Sequence, residues 1–171
     1  MPVPAEPVRL VQIGAGAMGR AWLRVIGRSP DVQLVGLADL DLNTAQRSAA
    51  DAGFTDVAVA TTLEDLLDRV EADAVVNVTI PEAHGEVSTV ALLRGLAVLC
   101  EKPLADTLPT ALSMIAAAEA GGRLLMVSQS RRYGRNVEAL RGQIARLGRL
   151  GLVACSVFKG PHFGGFREQM A

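Results

Sequence analysis

Several features are scarce in this chain, and each scarcity excludes a class of protein. Acidic and basic residues nearly balance, with a formal net charge of -1, so the chain lacks the basic surplus with which nucleic-acid-binding proteins neutralise phosphates. No apolar run approaches the ~18 residues of a membrane-spanning helix, and residues 1–7 lack the charged-then-apolar layout of a secretory leader. The sequence therefore predicts a cytoplasmic protein that binds neither nucleic acid nor membrane.

Residues that bind metals or form disulfides are also scarce. The chain has two cysteines and two histidines, and they are far apart in the sequence. Cys100 and Cys155 each lie in an apolar, strand-like run, which predicts two buried free thiols. His84 and His162 are too isolated to indicate a zinc site. We therefore expect neither a disulfide nor a metal site.

Hydrophobic residues are abundant, at 50% of the chain, and they fall in alternating strand-like and helix-like segments. Six strands are predicted over residues 8–13, 32–38, 57–60, 74–80, 97–100 and 124–128. Helices are predicted over residues 18–26, 42–52, 63–70, 84–94 and 108–120. Strands that alternate with helices through short connections predict an α/β fold with a doubly wound parallel sheet of the Rossmann type. We expect residues 1–128 to form this domain.

The rest of the chain, residues 129–171, has a different pattern. A helix over residues 136–147 and a strand over residues 152–158 cannot bury a core of their own. This region is therefore interpreted as the incomplete start of a second α+β domain. An apolar strand without a sheet favours self-association, so a homo-oligomer, for example a dimer, is expected.

A glycine-rich stretch after the first predicted strand carries the first functional signal. Gly14-x-Gly16-x-x-Gly19 lies between that strand and a helix, a setting typical of a dinucleotide-binding turn. Gly14 permits the tight turn, Gly16 lets the backbone approach a pyrophosphate, and Gly19 lets helix and strand pack closely. The pyrophosphate then lies on the unpaired N–H groups at the positive end of the helix. The alternative is a glycine-rich turn in an unrelated α/β protein.

An acidic residue, Asp39, follows the second predicted strand. Its carboxylate is placed to accept hydrogen bonds from the adenosine ribose hydroxyls and to repel a 2′-phosphate. Leu40 comes next instead of a cation, so NAD is favoured over NADP. The alternative is that Asp39 only begins the following turn, although Asp41 is better placed to cap the next helix.

Polar residues are also predicted at the end of the fourth strand, on the edge where open α/β sheets bind ligands. Asn77, Thr79 and Pro81 are candidates for ligand contacts, and a strand-to-helix turn with a side-chain cap explains them equally well. His84 is interpreted as a residue in the first turn of the next helix that packs against the crevice.

Glu101-Lys102-Pro103 directly follows the fifth predicted strand. The Lys102 ammonium could there hydrogen-bond the nicotinamide ribose and a substrate hydroxyl, with Glu101 and Pro103 fixing its position. Only two of the 17 basic residues are Lys, which hints that a compact ammonium is needed where Lys is kept. The alternative is a surface ion pair between Glu101 and Lys102, worth about 0–1 kcal/mol. The strand-end position and the scarcity of Lys favour the functional interpretation.

Together these motifs resemble those of one family, that of glucose-fructose oxidoreductase, inositol dehydrogenase and the rhizopine-catabolism protein (Gfo/Idh/MocA). The resemblance covers residues 8–158 and is most specific at the Glu-Lys-Pro motif. The residues that carry it are Gly14-x-Gly16-x-x-Gly19, Asp39, Thr79-Ile80-Pro81-x-x-His84, Cys100-Glu101-Lys102-Pro103-Leu104-Ala105, Val127-Ser128-Gln129-Ser130-Arg131-Arg132-Tyr133 and Leu147-Gly148-x-x-Gly151.

The resemblance implies an NAD(P)-dependent oxidoreductase that transfers a hydride between nicotinamide and a hydroxyl or ketone of a sugar, inositol or related polyol. It implies that Lys102 assists proton transfer as the catalytic residue. The cofactor-binding residues expected from the motifs and the resemblance are Gly14, Gly16, Ala17, Met18, Gly19, Asp39, Asn77, Thr79, Pro81, His84, Glu101, Lys102, Gln129 and Arg132.

The chain departs from the family in its length. Family members continue into a large mixed sheet that supplies the substrate pocket, the dimer interface and a catalytic histidine, which His162 does not match. Residues 129–171 are then the truncated beginning of a substrate and dimerisation domain. The chain alone is expected to supply mainly the cofactor-binding half and to be catalytically incomplete.

Three other functions stay open on the sequence. The chain could be a non-catalytic dinucleotide-binding sensor or partner subunit, or a related glycosidase that uses tightly bound NAD. A methyltransferase that binds S-adenosylmethionine also has a glycine-rich first turn and an acid after its second strand. That last hypothesis gives no reason for Glu101-Lys102-Pro103.

Overall fold

The computed structural model of the chain describes residues 6–156, which divide into two units between Gln129 and Ser130. The first unit is an α/β domain. Its strands are β1 (Val8–Ile13), β2 (Val32–Ala38), β3 (Ala58–Ala60), β4 (Ala74–Asn77), β5 (Ala97–Cys100) and β6 (Leu125–Val127). Its helices are α1 (Ala17–Ile26), α2 (Leu42–Asp51), α3 (Leu63–Leu67), α4 (Pro81–Leu93) and α5 (Leu108–Gly121).

The six strands form one sheet in the order β3-β2-β1-β4-β5-β6, and every neighbouring pair is parallel. The chain builds outward from β1 in one direction and then, from β4, in the other. The predicted doubly wound Rossmann sheet is confirmed. Its topological switch point lies between β1 and β4, where open α/β sheets bind their ligands.

Apolar side chains cover both faces of the sheet. Val75 and Val76 are consecutive residues of β4, yet they enter two different buried clusters, because successive side chains of a strand point to opposite faces. Leu92 and Met114 bring α4 and α5 into one cluster, and Leu23 brings α1 into the other. A strand buried on both faces explains why β4 is apolar at nearly every position.

The strand register brings the carboxyl ends of five strands level along one edge. Ile13 pairs with Ala38 on one side and with Asn77 on the other. Asn77 pairs with Cys100, and Cys100 pairs with Val127. Each of these five residues ends its strand, so the loops that carry the predicted functional residues emerge from the same edge.

The fourth strand and the helix after it differ from their predicted bounds. β4 ends at Asn77 instead of Ile80, and α4 begins at Pro81 instead of His84. The Asn77 Oδ1 atom accepts hydrogen bonds from the Thr79 N–H at 3.2 Å and from its hydroxyl at 2.7 Å, which turns the chain out of the sheet. Pro81 needs no hydrogen-bond partner for its nitrogen and has a helical φ, so it starts the helix.

The second unit contains a short 3-10 helix (Ser130–Tyr133) and α6 (Arg135–Arg146). The predicted helix over residues 136–147 is thus present. The strand predicted over residues 152–158 is wrong for residues 152–156, which are exposed and not extended into any sheet, and residues 157–158 lie outside the described part. That this unit begins a substrate and dimerisation domain stays a prediction.

None of the helices described is long and apolar enough to cross a membrane.

The two cysteines differ in exposure. Cys100 on β5 is fully buried, as predicted, whereas Cys155 is exposed. The prediction for Cys155 was wrong because it relied on a strand that residues 152–156 do not form. Burial raises the pKa of the Cys100 thiol to about 11. Since the thiolate is the reactive form, Cys100 is protected both by its position and by its protonation.

We expect a maleimide at pH 7.5 to modify one thiol of the native chain within minutes and the second only after denaturation. The rapid site should be Cys155, and the Cys155→Ser variant should lose rapid labelling altogether. Mass spectrometry of the labelled peptides assigns each site. Rapid modification of Cys100 in the native Cys155→Ser variant would contradict the buried position of β5.

Candidate functional site

Two of the three motif glycines are required by the protein's own packing. Gly14 has a φ of +101°, and a Cβ atom there would run into the Val78 carbonyl oxygen and lie 2.7 Å from its carbonyl carbon. A Cβ atom on Gly19 would run into the Gly14 carbonyl oxygen. These contacts bring the β1–α1 loop against the β4–α4 loop and α1 against β1. The roles predicted for Gly14 and Gly19 in turn formation and close packing fit this geometry.

Gly16 is different, because nothing in the protein requires a glycine there. Its φ of -64° suits any residue, and a Cβ atom built on it meets no protein atom within 4 Å. Gly16 precedes α1 without a side-chain cap, and Ala17 and Met18 in the first turn are exposed. The first N–H groups of a helix have no partner within it. This open, uncapped helix start therefore has the space and the donors that a pyrophosphate needs.

Asp39 lies beside the glycine loop at the end of β2. Its Oδ2 atom accepts a hydrogen bond from the Ala15 N–H at 2.8 Å, and its Oδ1 atom accepts one from the Asp41 N–H at 3.1 Å. Asp39 therefore begins the turn after β2 and also contacts the glycine loop, while its role as a ribose ligand stays a prediction. A carboxylate has further acceptor positions on each oxygen, so ribose hydroxyls could still bind. Asp41 accepts a hydrogen bond from the Asn43 N–H and caps α2, as predicted.

The amide of Asn77 is buried and fully used by the protein. Its Nδ2 atom donates to the His84 carbonyl oxygen at 3.2 Å and to the Ser88 hydroxyl at 3.0 Å. Its Oδ1 atom accepts the two hydrogen bonds from Thr79. An amide has two donors and two acceptor positions, and all four are occupied here. Asn77 therefore shapes the strand-to-helix turn from beneath, while Thr79 and Pro81 remain partly exposed.

His84 is also beneath the surface, with 1% of its area exposed. Its Nε2 atom lies 3.1 Å from the Thr79 carbonyl oxygen, and its Nδ1 atom lies 2.8 Å from the Pro103 carbonyl oxygen. The imidazole therefore spans from the loop after β4 to the loop after β5. It packs against the crevice, as the sequence suggested, with both ring nitrogens directed at the protein backbone.

Glu101 is held from two directions at the end of β5. Its Oε1 atom accepts a hydrogen bond from the Trp22 indole N–H at 3.0 Å, and its Oε2 atom accepts one from the Lys102 backbone N–H at 3.0 Å. Among residues 6–156 the ion pairs are those of Arg9 with Glu71 and Asp73. The described part of the chain therefore contains no ion pair between Glu101 and Lys102, and Lys102 is exposed.

The last two predicted residues belong to different units. Gln129 is exposed and follows β6 on the same edge as the other loops. Arg132 is exposed in the 3-10 helix of the second unit. The first unit alone thus brings the glycine loop, Asp39, the Thr79–Pro81 loop, Glu101–Lys102 and Gln129 to one edge. No cluster of three or more metal-ligating side chains occurs in the described part of the chain.

A glycine loop with Asp39 beside it, and Glu101–Lys102 on the same sheet edge, is the arrangement expected of a dinucleotide site. Comparison with known proteins shows the family to which this fold belongs. The model of the oxidoreductase family with an NAD-binding Rossmann fold, GFO_IDH_MocA, matches residues 8–129. The chain belongs to this family. The resemblance noted from the motifs is thereby confirmed.

Named relatives of this oxidoreductase-family chain include enzymes of sugar and inositol chemistry. It is 34% identical to 1,5-anhydro-D-fructose reductase of Ensifer adhaerens, in an alignment that covers 91% of this chain and 47% of that protein. It is 33% identical to inositol 2-dehydrogenase 4 of Saccharopolyspora erythraea, with 95% and 49% covered. The chain spans about half the length of these relatives.

Solved structures with the same fold agree. GenD2 from gentamicin A biosynthesis, in complex with NAD, superposes with a TM-score of 0.77 at 26% identity, over 86% of this chain and 41% of that one. Myo-inositol 2-dehydrogenase from Lactobacillus plantarum superposes with a TM-score of 0.73 at 25% identity, over 82% and 41%. The fold of the first unit is therefore that of the NAD-binding domain of this oxidoreductase family.

Two residues that support the family's glycine loop were missed by the sequence analysis. The buried Gln12 donates from Nε2 to the Gly14 carbonyl oxygen at 2.8 Å and to that of Gly19 at 3.1 Å. The Ser48 hydroxyl donates to the Ala15 carbonyl oxygen at 3.1 Å. A polar residue within the otherwise apolar β1 was the available signal for Gln12. Ser48, on α2, gave no such signal.

The different roles of the glycines predict different mutant phenotypes. Gly16→Ala should keep the wild-type melting temperature, since its Cβ meets no protein atom, and should weaken NADH binding by about tenfold, or about 1.4 kcal/mol. Gly19→Ala should lower the free energy of unfolding by about 1–3 kcal/mol, because its Cβ overlaps backbone. Thermal unfolding and fluorescence titration measure the two effects. Wild-type NADH affinity in Gly16→Ala would contradict the assignment of the pyrophosphate to this helix start.

Proposed function

We propose that the chain is the cofactor-binding half of an NAD-dependent oxidoreductase acting on a sugar, inositol or related polyol. The observation that carries this proposal is the exposed, uncapped start of α1 at Gly16, where the protein itself gives no reason for glycine. One relative is named a reductase of 1,5-anhydro-D-fructose and another a dehydrogenase of inositol. Those names support the substrate class.

Residues at the aligned strand ends would bind successive parts of the cofactor along this edge of the sheet. The N–H groups of Gly16, Ala17 and Met18 would bind the pyrophosphate, and Asp39 would bind the adenosine ribose. The partly exposed Thr79 and Pro81 would line its middle, while the buried Asn77 and His84 would hold that loop in place. Glu101 and Lys102 would lie at the nicotinamide ribose, with Gln129 next to the nicotinamide. The role of Arg132, which lies in the second unit, stays a prediction from the sequence.

Lys102 is the proposed catalytic residue of this chain. Its exposed ammonium would hydrogen-bond the substrate hydroxyl and assist the transfer of that group's proton. Bound NAD would supply the hydride acceptor. The reaction also requires a substrate held at ~3–3.5 Å from the nicotinamide and a pocket around it. We propose that the remaining half of a family enzyme supplies that pocket, so the chain alone is catalytically incomplete.

NAD is proposed over NADP because of the charge next to the adenosine ribose. The Asp39 carboxylate is fixed by the Ala15 N–H and would repel a 2′-phosphate. Leu40, the following residue, is 92% exposed and offers no positive charge to receive that phosphate. Both features favour a ribose with free hydroxyls.

A second candidate function is a non-catalytic dinucleotide-binding sensor or partner subunit. The NAD-binding Rossmann fold matched over residues 8–129 fits such a binding module as well as it fits an enzyme. Steady reduction of NAD by this chain with a polyol would exclude it, as it would exclude a glycosidase that keeps its NAD bound. A homo-oligomeric state and a cytoplasmic location remain predictions from the sequence.

The cofactor proposal predicts preferential binding of NADH over NADPH. Asp39→Ser should weaken NADH binding and strengthen NADPH binding, so that the ratio of the two affinities falls by about tenfold, or about 1.4 kcal/mol. Nicotinamide fluorescence measures both affinities. Asp51→Asn is the matched control, since it removes one carboxylate from the exposed end of α2 and should leave the ratio unchanged.

Two results would contradict the proposal in different ways. Wild-type affinity that is equal for NADH and NADPH would contradict the role of Asp39 alone. Failure of the folded wild-type chain to bind either cofactor at millimolar concentration would contradict the cofactor-binding function.

A further inference from the structure

Trp22 connects the dinucleotide helix to the Glu-Lys-Pro loop. It is the only tryptophan of the chain, lies on α1, and packs its partly buried ring against the cluster that contains Leu23. Its indole N–H donates to the Glu101 Oε1 atom at 3.0 Å, across 79 positions of sequence. The N–H of a buried tryptophan usually finds a hydrogen-bond partner, and here that partner is the carboxylate of the Glu-Lys-Pro loop.

The bond to Trp22 leaves Glu101 little freedom. The second carboxylate oxygen accepts a hydrogen bond from the Lys102 backbone N–H at 3.0 Å, so the carboxylate joins α1 to the backbone at Lys102. A hydrogen bond to an ionised group is stronger than one between neutral groups. The direction of the indole N–H therefore sets the orientation of the carboxylate and, through it, of the loop.

The same loop is held from its other side by α4. His84 places its Nδ1 atom 2.8 Å from the Pro103 carbonyl oxygen. The loop that carries Lys102 is thus fixed between contacts from α1 and α4, while Lys102 itself stays exposed. Trp22, which makes one of these contacts, lies on α1, and the first turn of α1 is the proposed pyrophosphate site.

We propose that Trp22 is a positioning residue, which orients Glu101 and thereby presets the Glu101–Lys102 loop for the nicotinamide half of the cofactor. This inference rests on the proposed function. One rigid helix then carries both the pyrophosphate site, at Gly16, and the anchor of the catalytic loop, at Trp22. Loss of the indole N–H should therefore weaken binding of the nicotinamide half of the cofactor and leave binding of the adenosine and pyrophosphate half unchanged.

The test compares NADH with ADP, which lacks the nicotinamide half, on the 171-residue chain. Trp22→Phe keeps an aromatic ring and removes the N–H donor. We expect it to weaken NADH binding about ten- to a hundredfold, as for loss of a hydrogen bond to a charged group, and to change ADP binding less than about twofold. In the Glu101→Ala background, Trp22→Phe should have no further effect on NADH binding, because its partner is gone.

A second replacement separates the hydrogen bond from the packing of the ring. Because Trp22 is the sole tryptophan, growth of a tryptophan auxotroph on benzothienylalanine replaces this one indole N–H with sulfur and keeps the bicyclic shape. The substituted chain should repeat the selective loss of NADH affinity. It also serves as the test if Trp22→Phe does not fold.

The outcomes distinguish this inference from the proposed function. Wild-type NADH affinity in both altered chains, or an equal loss for NADH and ADP, overturns the positioning role and leaves the cofactor-binding proposal intact. The same applies if Trp22→Phe weakens NADH binding equally with and without Glu101. If the folded wild-type chain binds neither ADP nor NADH at any concentration tested, the proposed function and this inference both fail.

Discussion

The register between β1 and its two neighbours is the constraint on which the site depends. Ile13 lies opposite both Ala38 and Asn77, so the loops that follow three separate strands begin side by side. The loops after β1 and β4 are therefore so close that Gly14 has a positive φ and no space for a Cβ atom beside Val78. A shift of one residue would turn each side chain to the opposite face and would separate the glycine loop from Asp39.

Side-chain to backbone hydrogen bonds then fix the loops that the register has brought together. Asp39 holds the Ala15 N–H, His84 reaches the Pro103 carbonyl oxygen, and Glu101 holds the Lys102 N–H. Loops fixed before a ligand arrives lose less conformational entropy when it binds. The fold therefore presents a largely preformed binding edge, with an uncapped helix at the switch point and an exposed lysine on a constrained turn.

Local patterns in the sequence predicted most of the first unit. Apolar runs between turn residues predicted the six strands, and the spacing Gly14-x-Gly16-x-x-Gly19 predicted the tight turn at Gly14 and the close packing at Gly19. Contacts between distant positions were not predictable in the same way. Neither the burial of His84 nor the pairing of Trp22 with Glu101 has a local signature, because each depends on helices and loops that meet only in the folded sheet.

The strand predicted after α6 shows the converse limitation. Residues 152–156 have an apolar, β-prone sequence and yet form no strand, since a strand needs a partner for its backbone groups. Propensity alone does not supply that partner. The first unit differs because its apolar segments pack on a sheet that the same unit completes.

The central claim is that the start of α1 is the pyrophosphate site, and an amide-resolved NMR titration of the ¹⁵N-labelled chain with NADH tests it most directly. The account predicts that the N–H resonances of Gly16, Ala17 and Met18 shift most, in step with saturation, followed by those near Asp39 and Lys102. Binding of NADH that leaves the amides of Gly16 to Met18 unmoved would contradict it.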